Sequence, residues 1–399
     1  MKRVVICFPV FLFVFDLFAA GDPSFRFDYF TGEKFSIVEK SDLRRYENGR
    51  FVGLSYREVR GVMKLGVLLE KGIFSVKGKF YVFEETKHEN RNVAKKIDQV
   101  VPVNYRMGPS GILVPGKPQA FPTVQGFPAF PDKPVKKGER WRAFGIRVVD
   151  PMGNGNYTHV RFYCEYRYMG DKIRNGRNYS IIKAQYAIRY RKGDDPDGWE
   201  EIERITGKHL VTIYYDRENG RDSFMSDLME ENYSLKDGKS VAFKGFILTW
   251  FNGVQPLNRT ELADEIKKKL EENKVSDVEV SKREEGVALT INRIHFVANK
   301  AIVLPEEKPR LKVLADTLKR IEGRNFLVVG HTARVGSEES QYKLSVERAK
   351  TIVDYLVSQG IEAKRFLYEG KGGTEPVAPN DTEENMAKNR RVEIIILED

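Results

Sequence analysis

The sequence predicts a multidomain protein, in which a β-rich antiparallel N-terminal region precedes a C-terminal α/β domain with helices packed on a sheet. From Phe25 to about Phe251, apolar and polar residues alternate in runs separated by Gly, Asn and Asp, the pattern of antiparallel strands. At about Leu257 the apolar period changes from 2 to 3.6, the spacing of amphipathic helices. A chain of 399 residues has room for two or three domains. The predicted divisions are 21–118 and 119–255, both β-rich, and 256–399, the α/β domain.

The N-terminus has the composition of a secretory signal peptide, which we assign to residues 1–20. A basic head precedes an apolar run at 4–18, and small residues follow at 19–21. The run is shorter than the ~20 apolar residues that a membrane-spanning helix needs. We therefore expect an exported, periplasmic protein, with the outer membrane as a further candidate location. Removal of this segment would leave Cys164 as the only cysteine, which excludes an intramolecular disulfide.

The chain is basic, with a formal net charge of +10. Its Lys and Arg residues are spread among Asp and Glu, and no zinc-finger or RNA-recognition motif accompanies them. We therefore predict a solvated basic surface and no nucleic-acid partner. The five histidines show no metal-ligand spacing, and the sequence contains no motif of a catalytic serine or cysteine. These observations predict a non-enzymatic protein without a metal or another cofactor.

The β-rich region is predicted to contain two sets of strands, and the sequence leaves open whether they form one body or two. Tyr157–Tyr168 and Ile182–Tyr190 alternate on either side of a turn at 170–176, which predicts a hairpin. Residues 107–135, between the two sets, contain seven prolines, which cannot donate to a central ladder. Because several of these prolines follow phenylalanines, we expect the segment to pack down as a connection or an edge. The other predicted strands are Arg50–Leu54, Val62–Leu69, Ile73–Val76, Lys79–Glu84, Leu210–Tyr215, Ser223–Tyr233 and Ser240–Phe251.

The α/β domain is predicted from three amphipathic helices and the apolar strands between them. Thr260–Lys274, Pro309–Ile321 and Glu338–Gln359 each place apolar residues on one helical face. Asp381 and Glu384, three residues apart, predict a capping box for a fourth, short helix. Alternation of these helices with strands predicts a small layered α/β domain. The predicted strands are 278–280, 287–294, 326–329, 366–368 and 392–397.

Three polar stretches of this domain are expected to meet at one site. A pocket between them would be lined by Asn299, Thr332 and Arg348. Arg348 lies at the border of the apolar face of its helix, where its stem can pack while its guanidinium reaches the rim. A guanidinium held in this way suits bidentate capture of a carboxylate. The spacing also allows a structural ion pair between Arg348 and a neighbouring glutamate. The three stretches are 295–300, 330–339 and 370–391.

The same stretches carry the motifs of a known family, and they cover somewhat over a quarter of the chain. From about Val287 to its end, the sequence resembles an OmpA-like peptidoglycan-binding domain. The resemblance implies a βαβα fold. It also implies that an Asp after Gly-x-Thr, together with the Arg of the next helix, holds the diamino acid of the peptidoglycan stem peptide. The matching residues are Gly330-His331-Thr332, Leu344-Ser345, Arg348-Ala349, Gly360-Ile361, Arg365, Gly370-Lys371-Gly372, Pro376 and Asn389-Arg390-Arg391-Val392-Glu393.

This sequence departs from the family at the implied ligand contact. Arg348 matches the arginine that takes the carboxylate of the diamino acid, and Asn299 matches an asparagine used after the first strand. Ala333 occupies the position of the Asp, which takes the ammonium side. A hydrogen bond to a charged group is worth ~1.5–3 kcal/mol, so its loss would weaken binding about 10- to 150-fold.

Three functions remain open. The first is an envelope protein whose OmpA-like domain tethers to peptidoglycan with weakened or altered binding, while the β-rich region contacts envelope proteins or the outer membrane. In that case the wall has a different diamino residue, or Glu338 or Glu339 replaces the lost carboxylate. The second is a protein-interaction module that keeps the fold without wall binding. The third is an N-terminal outer-membrane β-barrel, which the charged residues inside many strands disfavour.

Overall fold

The computed structural model of the chain describes residues 22–27, 30–68, 72–85, 93–114, 119–297 and 300–399. The predicted signal peptide, residues 1–20, lies outside the described residues. The described strands form two sheets, one of twelve strands and one of six. The larger sheet belongs to the β-rich region, and the smaller sheet belongs mainly to the C-terminal α/β part.

The large sheet is antiparallel, and strands from both predicted β-rich segments lie in it. Its two halves join where the first strand, β1, pairs with the last, β13. The strands before the C-terminal part are β1 (Lys34–Glu47), β2 (Arg50–Leu68), β3 (Phe74–Glu85), β4 (Lys95–Lys96), β5 (Gln99–Met107), β6 (Leu113–Val114), β7 (Val124–Gln125), β8 (Arg140–Val149), β9 (Thr158–Arg174), β10 (Arg177–Arg191), β11 (Ile202–Asp216), β12 (Arg221–Leu235) and β13 (Ser240–Gly253). The order across the sheet is β6-β5-β3-β2-β1-β13-β12-β11-β10-β9-β8-β7, and β4 lies in the small sheet.

Several strands are longer than their patterns predict. β2 is one strand of 19 residues where the sequence predicts two, and β3 likewise joins two predicted strands. The prediction of a break in β2 was wrong because Glu58, in its middle, is fully buried beside three cations, the third being Lys40 at 3.4 Å. Its carboxylate lies 2.6 Å from both Arg60 Nε and Lys95 Nζ. A charged residue therefore continues the strand when neighbouring cations neutralise it.

The large sheet curls so that its inner face encloses a core. Part of the proline-rich segment packs into this core, as the sequence predicts: Phe121 and Phe130 are 1% and 4% exposed. The segment also links the two ends of the sheet through Gln119. The side chain of Gln119 donates to the backbone oxygen of Asn104 on β5, and its backbone oxygen accepts from Gln125 Nε2 on β7 at 2.7 Å.

The small sheet carries its helices on one face. Its elements are α1 (Arg259–Glu272), β14 (Val278–Lys282), β15 (Gly286–Ile291), α2 (Lys308–Lys319), β16 (Phe326–Gly330), α3 (Glu338–Ser358), β17 (Phe366–Gly370), α4 (Glu383–Asn389) and β18 (Val392–Leu397). The strand order is β14-β15-β18-β16-β17-β4, with β16 and β17 parallel. A core that includes Leu311, Leu318, Ile352 and Phe366 fills the space between sheet and helices. No helix among the described residues is long and apolar enough to cross a membrane.

The cap of α4 differs from the predicted capping box. Thr382, one residue after Asp381, is the N-cap, and its side chain accepts a hydrogen bond from the Asn385 N–H at 3.2 Å. Asp381 instead accepts from the side chain of Asn385 at 2.8 Å. The prediction was therefore wrong by one position, because Thr and Asp are both good N-caps and the sequence offers them side by side.

The other face of the small sheet packs against the large sheet. Ion pairs flank this sheet-to-sheet interface, between Lys34 and Glu398 at 3.1 Å and between Lys79 and Glu285. The two residues of β4 also pair in parallel with β17. Backbone hydrogen bonds and apolar packing therefore both hold the two sheets together. The buried apolar residues of the interface are Tyr81, Phe83 and Ile97 from the N-terminal region and Ala288, Leu327, Val329, Leu367, Ile395 and Leu397 from the small sheet.

Candidate functional site

The candidate site lies where β16 ends and α3 passes over it. Gly330 is the last residue of β16, and a Cβ at this position would collide with the backbone oxygen of Ser345 on α3. A Cβ at Gly370, the last residue of β17, would collide with Ser345 and with the backbone nitrogen of Val346. The two glycines therefore let α3 lie directly on the ends of two parallel strands. This close packing fixes the start of the loop that follows β16.

Thr332 and Ala333 are buried in that loop, at 6% and 5% exposure. The Thr332 N–H donates to the backbone oxygen of Gly372 at 2.9 Å. The N–H of Arg334 donates to Asn380 Oδ1 at 3.1 Å, which anchors the next residue. Thr332 Oγ1 is buried and has no hydrogen-bond partner in the described part of the chain. The backbone of the loop is thus held in place, while one polar oxygen beside Ala333 stays available.

Arg348 lies on α3 and is only 7% exposed. Its Nε donates to the backbone oxygen of Lys300 at 3.4 Å. Its guanidinium carbon lies 4.7 Å from the centre of the Phe296 ring, a cation–π contact. Burial, followed by the positive charge of Arg390, lowers the pKa of Arg348. Both effects disfavour the charged form, so an anion bound to this guanidinium would relieve them.

The structure gives Arg348 no carboxylate partner among the described residues. A structural ion pair with a neighbouring glutamate, which the sequence allowed, is therefore absent from this part of the chain. Glu338 and Glu339 are both exposed in the first turn of α3 and form no ion pair with Arg348. The idea that one of them replaces the missing Asp therefore has no support in this geometry. The guanidinium is a buried cation with an aromatic neighbour, and no described residue supplies its counter-charge.

Asn299, the third predicted lining residue, lies outside the described residues. The residues around it do contact α3. Thr351 Oγ1 donates to the backbone oxygen of Ala301 at 2.7 Å, and Lys300 accepts from Arg348. Lys300 and Ala301 thus contact α3, whereas Thr332 and Arg334 are anchored to Gly372 and Asn380. The roles of Asn299, Thr332, Ala333 and Arg348 in ligand binding stay predictions.

Sequence reasoning missed a buried charge cluster below the loop. His331 is 2% exposed, and burial, followed by the charge of Arg391, lowers the pKa of His331 to about 3. Glu393 on β18 accepts from Arg391 Nε at 3.0 Å and from Arg283 at 2.6 Å. The motif Asn389-Arg390-Arg391 is visible in the sequence, but nothing in it shows that Arg391 turns inward to Glu393 while Arg390 pairs with Glu383.

Asn389 is a second residue whose role the sequence does not show. It is 1% exposed. Its Oδ1 accepts from the backbone N–H groups of Val377 and Ala378 at 2.9 and 3.0 Å. Its amide donates to the backbone oxygen of Ala378 at 3.0 Å. Asn389 therefore shapes the loop after β17, which in turn holds Thr332.

Among the described residues, no group of His, Cys, Asp and Glu side chains is arranged to hold a metal ion. Cys164 is buried, and burial raises the pKa of its thiol to about 12, which does not suit a nucleophile. Neither observation adds a catalytic group to the candidate site. The chemistry that this site offers is the binding of an anionic group by Arg348 and of a hydrogen-bonding group by Thr332.

Comparison with known proteins places the C-terminal part in a family. The OmpA family matches residues 295–390. Over 102 residues the chain is 40% identical to Outer membrane protein A of Bordetella avium, which covers 26% of this chain and 53% of that protein. Over 109 residues it is 38% identical to the peptidoglycan-binding protein ArfA of Mycobacterium tuberculosis, which covers 27% of this chain and 33% of that protein.

A solved structure also resembles part of this chain. An outer membrane protein from Borrelia burgdorferi B31 is 33% identical, with a TM-score of 0.26, and the match covers 30% of this chain and 96% of that one. The chain spans between a third and somewhat over half of the length of the curated relatives given above. The large sheet lies outside residues 295–390, which the OmpA family matches. Residues 295–390, with the loop after β16 and the arginine of α3, therefore form an OmpA-family domain at the C-terminus of this chain.

Proposed function

We propose that this protein is a non-enzymatic component of the bacterial envelope, and that its OmpA-family domain contacts the peptide part of peptidoglycan with a binding strength reduced or altered by Ala333. The observation that carries the proposal is the state of Arg348. A buried guanidinium without a carboxylate partner in the described residues is costly unless a ligand supplies the anion. A carboxylate of a stem peptide has the right charge and geometry.

The relatives support the same reading. One of them is named as a peptidoglycan-binding protein and another as an outer membrane protein. The scaffold around the site is intact, because Gly330, Gly370 and Asn389 all make the contacts that fix the two loops. The exported location rests on the signal-peptide pattern at residues 1–20 and on the envelope names of the relatives. Contact of the large sheet with envelope proteins or the outer membrane is part of the same proposal.

The test is co-sedimentation of the purified protein with isolated sacculi at low salt. The wild type is compared with Arg348→Ala, Ala333→Asp and the double variant. Lys350→Ala is the matched control, because Lys350 lies two residues from Arg348 on α3 and pairs with Asp354 in solvent. We expect weak binding by the wild type, loss of binding in Arg348→Ala and no change in Lys350→Ala. Ala333→Asp should strengthen binding about 10- to 150-fold, the value of one hydrogen bond to a charged group.

Two outcomes would contradict the proposal. If Arg348→Ala binds sacculi as well as the wild type does, the site around Arg348 does not bind peptidoglycan. If neither the wild type nor Ala333→Asp binds, the domain keeps the fold and acts through protein partners instead. If Ala333→Asp binds sacculi and the wild type does not, the weak binding of the wild type is caused by the missing carboxylate at position 333.

A further inference from the structure

The outer face of β8–β13 is strongly basic. Residues along these strands alternate between buried and exposed, so one face of the sheet covers the core and the other faces solvent. Ten of the outward residues are Lys or Arg, and two, Glu165 and Glu230, are acidic, which leaves an excess of eight positive charges on this face. The residues counted are every second one, beginning with the first, in 140–148, 159–169, 181–191, 204–214, 224–234 and 240–252.

Several of these cations lie directly opposite one another on neighbouring strands. Arg140 pairs in register with Arg167, and Arg167 pairs with Lys183, so three cations form one row across β8, β9 and β10. Arg191 likewise lies opposite Arg204 on β11. Like charges in such positions destabilise a sheet. The arrangement therefore has a cost that an anionic partner on this face would remove.

The two glutamates of the face neutralise little of this charge. Glu165 pairs with Arg140 at 3.1 Å and with Arg142 at 3.0 Å, and Glu230 pairs with Lys244 at 2.9 Å. The side chains of the other seven outward cations form no ion pair with any residue that the structure describes, and all seven are exposed. They are the remaining members of the two rows above, together with Arg161, Arg189 and Lys208.

An apolar ridge crosses the same face. Leu210, Leu228 and Phe246 lie directly opposite one another on β11, β12 and β13 and are 56%, 58% and 44% exposed. Phe144 and Tyr163, on β8 and β9, contact each other with their ring centres 5.8 Å apart, and both are exposed. Large apolar side chains that are exposed side by side mark an interaction surface.

The ridge lies between the two groups of cations. Along β11, Leu210 lies between Arg204 and Thr212, and Thr212 pairs in register with Lys183. The row with Lys183 is therefore on one side of the ridge, and the pair of Arg191 and Arg204 is on the other. A partner of this face must offer negative charge and an apolar interior together.

A bilayer with anionic lipids offers both. Its surface attracts Lys and Arg, and each cation near it strengthens binding about fivefold. Apolar side chains insert at the boundary between headgroups and acyl chains. A phosphate polymer such as nucleic acid would use the cations alone and would leave Leu210, Leu228 and Phe246 in water.

We propose that the outer face of β8–β13 docks on an anionic lipid bilayer. Leu210, Leu228 and Phe246 insert at the boundary between headgroups and acyl chains, while Arg167 and Arg204, on the two sides of the ridge, bind headgroup phosphates. This inference deepens the envelope contact of the large sheet proposed above. It rests on the exported location proposed there, because that location brings the chain to a membrane surface.

The test is co-sedimentation with lipid vesicles at ~0.1 M salt. The protein is residues 21–399, because a retained apolar segment at 4–18 would itself bind vesicles. One set of vesicles contains phosphatidylglycerol and phosphatidylcholine in equal parts, and the other contains phosphatidylcholine alone. We expect binding to the anionic vesicles to be tighter by about tenfold or more. It should weaken at ~0.5 M salt, where charges are screened over a shorter distance.

Charge variants connect the binding to this face. Arg167→Gln/Lys183→Gln should weaken binding to the anionic vesicles about 25-fold, at about fivefold for each cation. Lys267→Gln/Lys268→Gln is the matched control, because both lysines are exposed on α1 and the net charge falls by the same amount. Circular dichroism and thermal unfolding check that each variant is folded.

Leu228→Gln tests the apolar ridge. It should weaken binding to the anionic vesicles about tenfold. Val67→Gln is its control, because Val67 is exposed near the end of β2, away from this face. Single-stranded DNA is titrated beside the vesicles as a phosphate polymer without an apolar interior.

Three results would overturn the proposal. The first is equal binding to anionic and neutral vesicles. The second is a folded Arg167→Gln/Lys183→Gln variant that binds anionic vesicles as tightly as its control does. The third is binding of single-stranded DNA together with equal vesicle binding by Leu228→Gln and Val67→Gln, which would assign the face to a phosphate polymer.

The vesicle assay and the sacculus assay fail independently. Arg348 lies in the small sheet, so Arg348→Ala should leave vesicle binding unchanged. Arg167→Gln/Lys183→Gln should leave sacculus co-sedimentation unchanged. Absence of vesicle binding with sacculus binding retained overturns the inference about lipid alone, and the reverse result overturns the wall contact alone.

Discussion

Glu231 is the residue whose charge we expect to matter most for the stability of the large sheet. It is 2% exposed. It accepts from Arg147 Nε at 2.8 Å and from His209 Nε2 at 3.1 Å, and the Tyr233 hydroxyl donates to its other oxygen. Burial raises the pKa of Glu231, but the charges and hydrogen bonds of Arg147 and His209 outweigh that effect and lower it. The carboxylate is therefore ionised and neutralises the buried Arg147, and it also neutralises His209 wherever the pH lies below the raised pKa of that imidazole.

Glu231→Gln keeps the shape of the side chain and removes its charge. Among the described residues, Asp227 would then be the remaining carboxylate paired with His209, at 2.7 Å, and Arg147 would lose its paired carboxylate. Removing one partner of a buried ion pair costs about 3–5 kcal/mol, and we expect a loss of this size in the free energy of unfolding. Glu230→Gln is the matched control. Its ion pair with Lys244 is about half exposed on the outer face, so a loss below ~1 kcal/mol is expected.

Urea unfolding followed by tryptophan fluorescence measures both variants. The three tryptophans, Trp141, Trp199 and Trp250, all lie in the large sheet or its loops, so the signal reports on this sheet. A loss in Glu231→Gln below ~1 kcal/mol, or equal to that of Glu230→Gln, would refute the argument that burial makes this charge pair important.

The difference between wild type and Glu231→Gln should also depend on pH. Burial opposes protonation of His209, but the hydrogen bonds and charges of Asp227 and Glu231 outweigh burial and raise the pKa of His209. A raised pKa contributes stability that is complete below the unfolded value of about 6.5 and is lost as the pH rises through the folded value. The variant loses part of this contribution. Glu231 has a lowered pKa, so its own contribution is lost as the pH falls below the unfolded glutamate value of about 4.3. We therefore expect the gap between the two proteins to be largest between pH ~4.3 and ~6.5 and to shrink on either side.

Three further predictions concern the small sheet and its contact with the large one. Gly330→Ala should destabilise the protein by about 1–3 kcal/mol in thermal unfolding, because its Cβ would collide with the backbone of Ser345. His331→Gln should remove an acid-induced loss of stability that the wild type shows in circular dichroism as the pH falls from ~6.5 towards 3: the pKa of His331 is lowered to about 3, so the unfolded chain binds more protons in this window. Phe83→Ala, at a residue 1% exposed in the sheet-to-sheet interface, should cost about 3–5 kcal/mol.

Each of these has a result that would contradict it. A stability of Gly330→Ala equal to that of Gly253→Ala, where a Cβ meets no atom within 4 Å, would mean that α3 does not press on β16. Equal acid sensitivity in His331→Gln and wild type would assign the acid loss to other groups. Phe83→Ala with wild-type stability, and with no increase in proteolysis between the two sheets, would show that the interface contributes little.

The α/β part of the fold follows closely from the sequence, because its apolar period is local. The third helix was predicted as Glu338–Gln359 and spans Glu338–Ser358. The break predicted in β2 failed because Glu58 is neutralised by Lys95, which lies 37 positions away in the sequence. A prediction from alternating polarity treats a charged residue as solvent-exposed. It has no information on an oppositely charged residue that another strand places beside it.

In the candidate site, too, the features set by local sequence were predicted and those set by distant segments were not. The motifs locate Thr332 and Arg348, since the spacing of strand, loop and helix determines where they lie. The surroundings of Arg348 depend on the ring of Phe296, which it contacts, and on the charge of Arg390, and both residues lie on other segments. The cluster of Arg147, His209 and Glu231 inside the large sheet was not predicted, because its members, like Glu58 and Lys95, are far apart in the sequence. Arg147, His209 and Glu231 lie on three different strands, and only the curl of the sheet brings them together.

The packing of the small sheet between its helices and the large sheet has a mechanical consequence. A domain on a flexible linker can transmit tension, but it cannot transmit torque or fix the orientation of its partner. Here β4 extends the small sheet by hydrogen bonds to β17, and Phe83 and Ile97 are buried against Leu367 and its neighbours. These contacts fix the orientation of the C-terminal domain relative to the large sheet. A ligand bound by the C-terminal domain would therefore have a fixed orientation relative to the large sheet, and the contact between the sheets would transmit torque as well as tension.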